Sequence, residues 1–277
     1  MTHAPIDAHF HSWQLARGDY GWLTPALGPI HRDVSVPDWW ATASPLGIAG
    51  GVLVQAAPTE AETRHLLALA DAHPQVLGVV GWVDWLAPDA PARIAALARH
   101  PRLKGLRPML QDLPDPDWVL QPTLAPCLRA MTELGLILDA LVKPVHLPRL
   151  LELHHRHPAL RVVIDHGAKP DIAHGQWEPW ASDMATLARE TPWCCKLSGL
   201  LTECGPAPRS NAAERWARHL LAHFGPGRLV WGSDWPVLQL ASDYGPWWQA
   251  TQALLADLPP DQQQAVLGGN ARRLYQL

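Results

Sequence analysis

Short apolar segments alternate with longer segments of helical period along the chain. The short segments have the composition of buried strands. These strand candidates are residues 6–11, 51–55, 77–83, 103–107, 137–141, 162–166, 194–198 and 229–234. Between them, apolar residues recur every three or four positions, and Thr, Asp or Pro precede several of the segments. The helix candidates are residues 61–73, 90–100, 118–134, 147–157, 177–190, 211–224, 246–258 and 260–267.

Eight strands that alternate with helices favour parallel β-α units closed into a (β/α)₈ TIM barrel. The alternative is an open, doubly wound sheet. No Gly-x-Gly-x-x-Gly turn follows the first strand, which argues against the dinucleotide-binding form of that sheet. The 277 residues match the usual size of one barrel, about 250 residues. We therefore expect a single, distorted α/β barrel domain over residues 1–277.

The composition and the net charge limit the kinds of partner and the cellular location that the sequence predicts. The formal net charge is −4 and the 22 Lys and Arg residues are scattered, so we expect no nucleic-acid partner. The chain starts without a basic and apolar leader, and its most apolar run, 47–57, is too short to cross a bilayer. The four cysteines form no disulfide framework. We expect a cytoplasmic protein without membrane contact, and the oligomeric state stays open.

Residues 12–37 form a long connection with little helical period, directly after the first strand. A loop of this length in a compact domain is usually functional, and in a barrel it lies on the catalytic face. It contains Tyr20 and Trp22, and Trp82 follows the third strand. We expect these three rings to contact substrate, because Trp offers a flat apolar face and one donor. The alternative for each Trp is packing at the barrel rim.

His9 and His11 end the first predicted strand. Side chains alternate across a strand, so the two imidazoles point the same way and Phe10 points oppositely. If they face the interior, both lie at the C-terminal mouth of the barrel, where (β/α)₈ enzymes carry their active sites. The alternative is a pair of ordinary histidines, since the chain has 15.

Asp234 ends the last predicted strand, which neighbours the first strand in a closed barrel. Its carboxylate would then face the histidine pair, stay ionised, and either bind a metal or accept a proton from water. The alternative is an Asp that caps the turn before Pro236.

His166 ends the sixth strand and Arg107 the fourth. Alternation puts Asp165 and His166 on opposite faces, so only one of them can point directly inward, and Val162 and Ile164 would share the inward face with His166. Arg107 suits a carboxylate or several oxygens at once, and Lys104 has the opposite direction on its strand. The alternatives are a rim histidine and an arginine that bridges loops.

Nine motifs, taken in order, resemble the amidohydrolase superfamily, and within it the sugar lactonase branch with the fuconolactonases, rhamnonolactonases and pyrone-dicarboxylate lactonases. The motifs are DAHFH at 7–11, RGDYGWLT at 17–24, VQA at 54–56, VGWVD at 80–84, KGLRPMLQ at 104–111, DHGAKP at 165–170, KLSGL at 196–200, GSDWP at 232–236 and GNARRLY at 269–275. The resemblance implies that His9, His11, His166 and Asp234 are catalytic and that Arg107 grips the substrate.

One departure from the wider superfamily limits the metal centre. Binuclear members carry a bridging lysine and histidines on both the fifth and sixth strands, whereas the fifth strand here has no histidine. The resemblance therefore implies at most one divalent ion, with Zn²⁺ as the first choice, held by His9, His11 and Asp234. Catalysis without a metal stays open, and no organic cofactor is expected.

The activity implied by the resemblance is the opening of a small-molecule sugar lactone to an aldonic acid. Asp234 would take a proton from water, and the three histidines would stabilise the oxyanion, through a metal or directly. Two alternatives stay open. One is a metal-dependent, non-oxidative decarboxylase on the same fold, and the other is a catalytically inactive barrel that binds a sugar.

Overall fold

The computed structural model describes residues 4–205 and 211–277. Its centre is a sheet of eight strands in chain order, each pairing in parallel with the next. The strands are β1 Asp7–Phe10, β2 Gly51–Val54, β3 Val76–Gly81, β4 Leu103–Leu106, β5 Ile137–Ala140, β6 Val162–Ile164, β7 Cys194–Leu197 and β8 Leu229–Trp231.

The sheet closes on itself just beyond β8. The backbone N–H of Asp234 donates to the carbonyl of His9 at 2.8 Å, and that of His11 donates to the carbonyl of Trp235 at 2.8 Å. Phe10 and Trp235 form a parallel bridge between these bonds. The predicted (β/α)₈ barrel is therefore confirmed, and the open sheet is excluded.

Helices surround the barrel and follow the predicted alternation. They are α1 Val36–Ala43, α2 Glu60–Ala72, α3 Ala90–Leu97, α4 Ala125–Glu133, α5 Leu147–Arg156, α6 Trp180–Glu190, α7 Glu214–Phe224, α8 Tyr244–Leu255, α9 Pro260–Gln264 and α10 Asn270–Tyr275. Helix α4 starts seven residues later than predicted, because the stretch before it forms two short 3₁₀ turns. Helix α1 was not predicted, although Ser35 and Asp38 cap it reciprocally. No helix in the described parts of the chain has both the length and the apolar character needed to cross a membrane.

Strand β1 carries a bulge that turns two consecutive side chains inward. The indole of Trp39 on α1 donates to Asp7 at 3.0 Å and stacks on Phe10 at a centroid distance of 3.8 Å, so both of these side chains point outward. In a regular strand, two residues three positions apart would point to opposite faces. The register shift between them lets Ala8 and His9 both face the interior.

The lower part of the barrel is apolar and is closed by α10. One cluster of buried side chains joins the inward residues of the strands to the last helix. It contains Ile6, Ala8, Val52, Val54, Val80, Ile137, Val163, Val230, Ala271, Leu274 and Tyr275. Because this end is filled, the polar residues of the upper strands can reach solvent only through the C-terminal mouth.

Candidate active site

Four predicted residues converge at the mouth of the barrel. Oδ1 of Asp234 lies 3.3 Å from Nε2 of His11, 3.6 Å from Nε2 of His9 and 3.8 Å from Nε2 of His166. The two Nε2 atoms of His9 and His11 are 3.2 Å apart. All four residues are at most 4% exposed. The chain therefore brings a carboxylate and three imidazoles into one buried cluster, as the sequence predicts.

Asp234 faces the imidazoles rather than the backbone. Its φ of 60° lies in the left-handed region, which is uncommon for a residue other than glycine and often marks a functional position. Within the described residues, no backbone N–H donates to its carboxylate, so the capping alternative has no support. Burial alone would raise the pKa of Asp234, but the charge that His166 carries when protonated outweighs this effect and lowers the pKa to about 2.

His166 reaches the cluster through a turn rather than along a strand. Strand β6 ends at Ile164, and His166 has a φ of 53° in the turn that follows. The prediction that Val162 and Ile164 share its inward face is therefore wrong, because both pack outside with the helices, while Val163 faces the barrel interior. Asp165 and His166 both point into the site, since strand alternation no longer applies beyond β6. Burial lowers the pKa of His166 to about 4.

Two glycines allow this close approach. A Cβ at Gly199, whose φ is +63°, would lie 2.5 Å from Nδ1 of His166. A Cβ at Gly232 would lie 2.8 Å from Cβ of His9. Any side chain at either position would push an imidazole out of the cluster.

Arg107 lies in the site, and Lys104 does not. The guanidinium bonds to the backbone and side-chain oxygens of Gln55, and its Nη1 lies 3.3 Å from Oδ2 of Asp165 and 3.4 Å from Nε2 of His9. It is 3% exposed and lines the cavity above the imidazoles. Lys104 instead donates to the carbonyl of Gln276, near the closed end of the barrel.

A buried charge network below the imidazoles was missed by the sequence analysis. Nζ of Lys196 lies 2.5 Å from Asp139, 2.9 Å from Asp165 and 3.1 Å from Nδ1 of His9. The hydroxyl of Tyr275 on α10 donates to Asp139 at 2.8 Å. Burial raises the pKa of Asp139 to about 6 despite the nearby ammonium of Lys196. In the sequence, this network is marked by one charged residue inside each of two otherwise apolar strands, β5 and β7.

The contacts of the Nδ1 atoms decide where the ring hydrogens lie. Nδ1 of His11 faces the carbonyl of Val54 at 2.8 Å and must donate to it, which leaves a lone pair on Nε2. The ammonium of Lys196 can only donate, so Nδ1 of His9 accepts and its Nε2 carries the hydrogen. That hydrogen points at Nε2 of His11. Nδ1 of His166 pairs with the hydroxyl of Ser198 at 2.9 Å, which permits either tautomer.

The donor atoms fit one tetrahedral metal ion. Ligands at about 2.0–2.2 Å from zinc are about 3.3–3.6 Å from one another. His9, His11 and Asp234 present atoms separated by 3.2, 3.3 and 3.6 Å. The lone pairs on Nε2 of His11 and Oδ1 of Asp234 also face each other, and a cation between them would remove their repulsion. His9 would add a third ligand with its hydrogen moved from Nε2 to Nδ1, a tautomer in which Lys196 no longer donates to that ring.

A cavity of about 240 Å³ opens directly above the cluster. Lys169, which the sequence analysis did not single out, adds an ammonium to its wall and pairs with Glu203 at 3.3 Å. His9 lies beneath the wall rather than in it. The lining residues are His11, Trp22, Ala56, Arg107, Met109, Gln111, Asp112, Leu141, His166, Lys169, Asp234 and Val237.

The three aromatic residues predicted to contact substrate have different positions. Trp22 lines the cavity and donates to the carbonyl of Ala56 at 2.7 Å. Trp82 does not line this cavity but lines an adjoining one that also includes Trp22. Tyr20 lines neither of the two cavities: its ring is buried against Trp13, so its position gives no support to a substrate contact.

A buried carboxylate supports the wall of the cavity from behind. Glu62 on α2 accepts the backbone N–H groups of Ala56 and Ala57 at 2.8–3.1 Å, and Ala56 in turn holds the indole of Trp22. Burial raises the pKa of Glu62 to about 7, against the lowering effect of these backbone donors.

Comparison with known proteins agrees with the fold and the motifs. A curated L-fucono-1,5-lactonase of Burkholderia ambifaria is 47% identical, with 98% of this chain and 95% of the relative covered. A second L-fucono-1,5-lactonase, from Burkholderia multivorans, is 32% identical over 98% of this chain and 96% of its own length. A crystal structure of a Burkholderia multivorans amidohydrolase with bound zinc superposes with a TM-score of 0.93 at 31% identity, over 99% of this chain and all of that one.

The family model described as Amidohydrolase matches residues 6–277, which span all eight strands and α10. The chain therefore belongs to the amidohydrolase family.

Proposed function

We propose that this protein is a lactonase that hydrolyses a sugar lactone to the aldonic acid. The observation that carries the proposal is an ionised carboxylate, Asp234, that faces imidazoles at the floor of a cavity with two cationic side chains in its wall. An ester carbonyl needs a base to activate water and positive groups to receive the charge on its oxygen. The two curated relatives, both named as L-fucono-1,5-lactonases, support the same choice.

Asp234 supplies the base in this proposal. The environment that lowers its pKa to about 2 keeps the carboxylate ionised at neutral pH, so it can accept a proton from the attacking water. The oxygen of that water bonds to the lactone carbonyl carbon, and the ring C–O bond then breaks. Asp234 returns its proton to the departing ring oxygen, which leaves an open-chain aldonic acid.

Arg107, Lys169 and His166 line the same cavity and receive the negative charge that develops on the carbonyl oxygen. Arg107 is held in place by Gln55 and Asp165, so little reorganisation is needed when the charge appears. His9, His11 and Asp234 would hold one divalent ion, for which Zn²⁺ suits the nitrogen and oxygen donors. When bound, such an ion polarises the carbonyl and lowers the pKa of a bound water.

The size of the cavity suits a single six-carbon ring. At about 240 Å³, it lies just below the usual range for drug-sized ligands, about 300–1,000 Å³. Trp22 gives that ring an apolar face, while Arg107 and Gln111 reach its oxygens. Our first choice of substrate is a six-carbon aldono-1,5-lactone of the L-fucono type.

The proposal is tested by a pH-indicator assay over a panel of aldonolactones, with and without a chelator. We expect acid release above the spontaneous rate for six-carbon 1,5-lactones, and no such rate from the Asp234→Asn variant. Binding of lactones without turnover would contradict the proposal in favour of an inactive sugar-binding barrel. Release of CO₂ from aromatic acids would favour the decarboxylase.

A further inference from the structure

A second, larger cavity adjoins the one above Asp234. Its volume is about 550 Å³, and it shares Trp22, Met109 and Asp112 with the smaller cavity. Its walls are dominated by aromatic and other apolar side chains. The lining residues are Asp19, Gly21, Trp22, Pro58, Trp82, Asp84, Trp85, Leu86, Pro108, Met109, Asp112, Leu113 and Trp118. The mechanism proposed above does not use this space.

The surrounding structure fixes the indole of Trp22 and the backbone of Trp82 in the wall of this cavity. Trp22 is anchored by its bond to Ala56 and by an edge contact with Trp13 at 5.5 Å, yet 39% of its surface stays exposed. The backbone N–H and carbonyl of Trp82 are both bonded to the hydroxyl of Thr63 at 2.7 Å. A Trp that is fixed but partly uncovered loses little entropy when a flat ring packs against it.

The charges in the wall exclude an anionic ligand. Three carboxylates, from Asp19, Asp84 and Asp112, line the cavity, and among residues 4–205 and 211–277 no Lys or Arg does so. Asp19 is paired with Arg17 at 2.7 Å, whereas Asp84 and Asp112 are exposed at the rim. Exposed carboxylates beside indole faces match a neutral polyol, whose hydroxyls donate to the carboxylates while its C–H face covers the aromatic rings.

We propose that this cavity, here called the outer subsite, binds a second, neutral sugar ring. Resting on the proposed lactonase function, this makes the substrate class a glycosylated aldonolactone rather than a free monosaccharide lactone. The cavity above Asp234 has room for one ring. Together with the outer subsite, it reaches the usual size of a ligand site, about 300–1,000 Å³. Because Trp22 lines both cavities, the second ring would lie directly beside the lactone ring.

Matched substrate pairs test the outer subsite. Each pair has the same 1,5-lactone ring, once free and once with a neutral sugar on O4, with O4-butyl and O4-glucuronosyl analogues for comparison. We expect kcat/KM to rise about tenfold for the neutral glycosyl lactone, equivalent to about 1.4 kcal/mol. A ratio of one or less, or a preference for the butyl or the glucuronosyl analogue, would overturn the proposal.

Variants tie that preference to the subsite. Trp118→Ala removes one aromatic wall, and Asp84→Asn removes a rim charge at constant size. Both variants should bring the kcat/KM ratio of the neutral glycosyl lactone to the free lactone closer to one. Trp40→Ala, on α1 and in neither of the two cavities, is the control and should keep the parental ratio. An unchanged ratio in both subsite variants would overturn the assignment.

Failure of the subsite and failure of the lactonase function give different results. Titration of the full-length protein with cellobiose, followed by tryptophan fluorescence, needs no turnover. Saturable binding that weakens in Trp118→Ala supports the outer subsite even when no lactone is hydrolysed. The absence of binding overturns the subsite even when monosaccharide lactones are hydrolysed.

Discussion

The ammonium of Lys196 lies 3.1 Å from Nδ1 of His9 and fixes the tautomer of that imidazole. A continuous path of donors follows: Lys196 donates to His9, His9 to His11, and His11 to the carbonyl of Val54. The last imidazole in this path presents a lone pair to Asp234. A metal on Nε2 of His9 would require that hydrogen to move to Nδ1, where it would face the ammonium of Lys196. A metal held only by His11 and Asp234 would leave the tautomer of His9 unchanged.

We expect no more than one metal equivalent per chain. The second possible donor group, His9, Asp165 and His166, shares His9 with the first. It also includes Asp165, which faces Nζ of Lys196 at 2.9 Å, so a second cation there would meet an ammonium. Elemental analysis of protein loaded with excess zinc and then dialysed should give at most one equivalent, and two equivalents would contradict the assignment.

Asp234→Asn should abolish base catalysis without unfolding the protein. Asparagine keeps the size of the side chain but cannot accept a proton at neutral pH, so kcat should fall about 10²–10⁴-fold. Steady-state kinetics on the best lactone, with circular dichroism to check folding, would measure this. Asp171→Asn, an exposed residue outside the cavity, is the matched control. A loss of less than about threefold in Asp234→Asn would reduce Asp234 to a turn residue.

Lys196→Met should destabilise the fold strongly. The change leaves Asp139 and Asp165 buried without their shared cation, and removing one partner of a buried ion pair typically costs about 3–5 kcal/mol. Lys104→Met, the same substitution at the other end of the barrel, should cost less than about 1 kcal/mol. Urea denaturation of both variants would measure the difference. Equal losses of unfolding free energy in the two variants would show that the buried ion pairs of Lys196 do not stabilise the fold.

Glu62→Gln should change how stability depends on pH. The pKa of Glu62 is about 7 in the folded protein, above its ordinary value of 4.5, so its contribution is full below pH 4.5 and is lost as the pH rises through 7. Relative to the parent, the variant should gain about 3 kcal/mol between pH 4.5 and pH 7. Denaturation at several pH values would show this gain.

The substitution Glu133→Gln, at an exposed position at the end of α4, is the control and should show no such trend. A constant difference between Glu62→Gln and the parent would place the pKa of the buried carboxyl near its ordinary value.

The sequence predicts the barrel and the four clustered residues because strand ends are marked by short apolar runs. The side-chain directions predicted from strand alternation were wrong at two places, each for a local reason. The bulge in β1 turns Ala8 and His9 to the same side, and the left-handed turn after β6 brings His166 inward against the alternation. Neither irregularity leaves a signal in the pattern of apolar residues.

The charge network could not be predicted from local sequence. Asp139 and Lys196 each look like a single polar residue in an apolar strand, and only the closed barrel shows that they face each other. The substrate role predicted for Tyr20 rested on its loop alone. The same loop carries Trp22 into the cavity and buries Tyr20 behind it.

The contact between Tyr275 and Asp139 also has a consequence for biosynthesis. The two residues are 136 positions apart, and α10 leaves the ribosome only after all eight strands. Until then the lower opening of the barrel lacks its cover, and the carboxylate beneath Lys196 has no hydroxyl partner. His9, at the other end of that network, accepts a hydrogen bond from the same ammonium. A nascent chain can thus build its strands early, but the charge network below His9 is complete only after α10 has emerged.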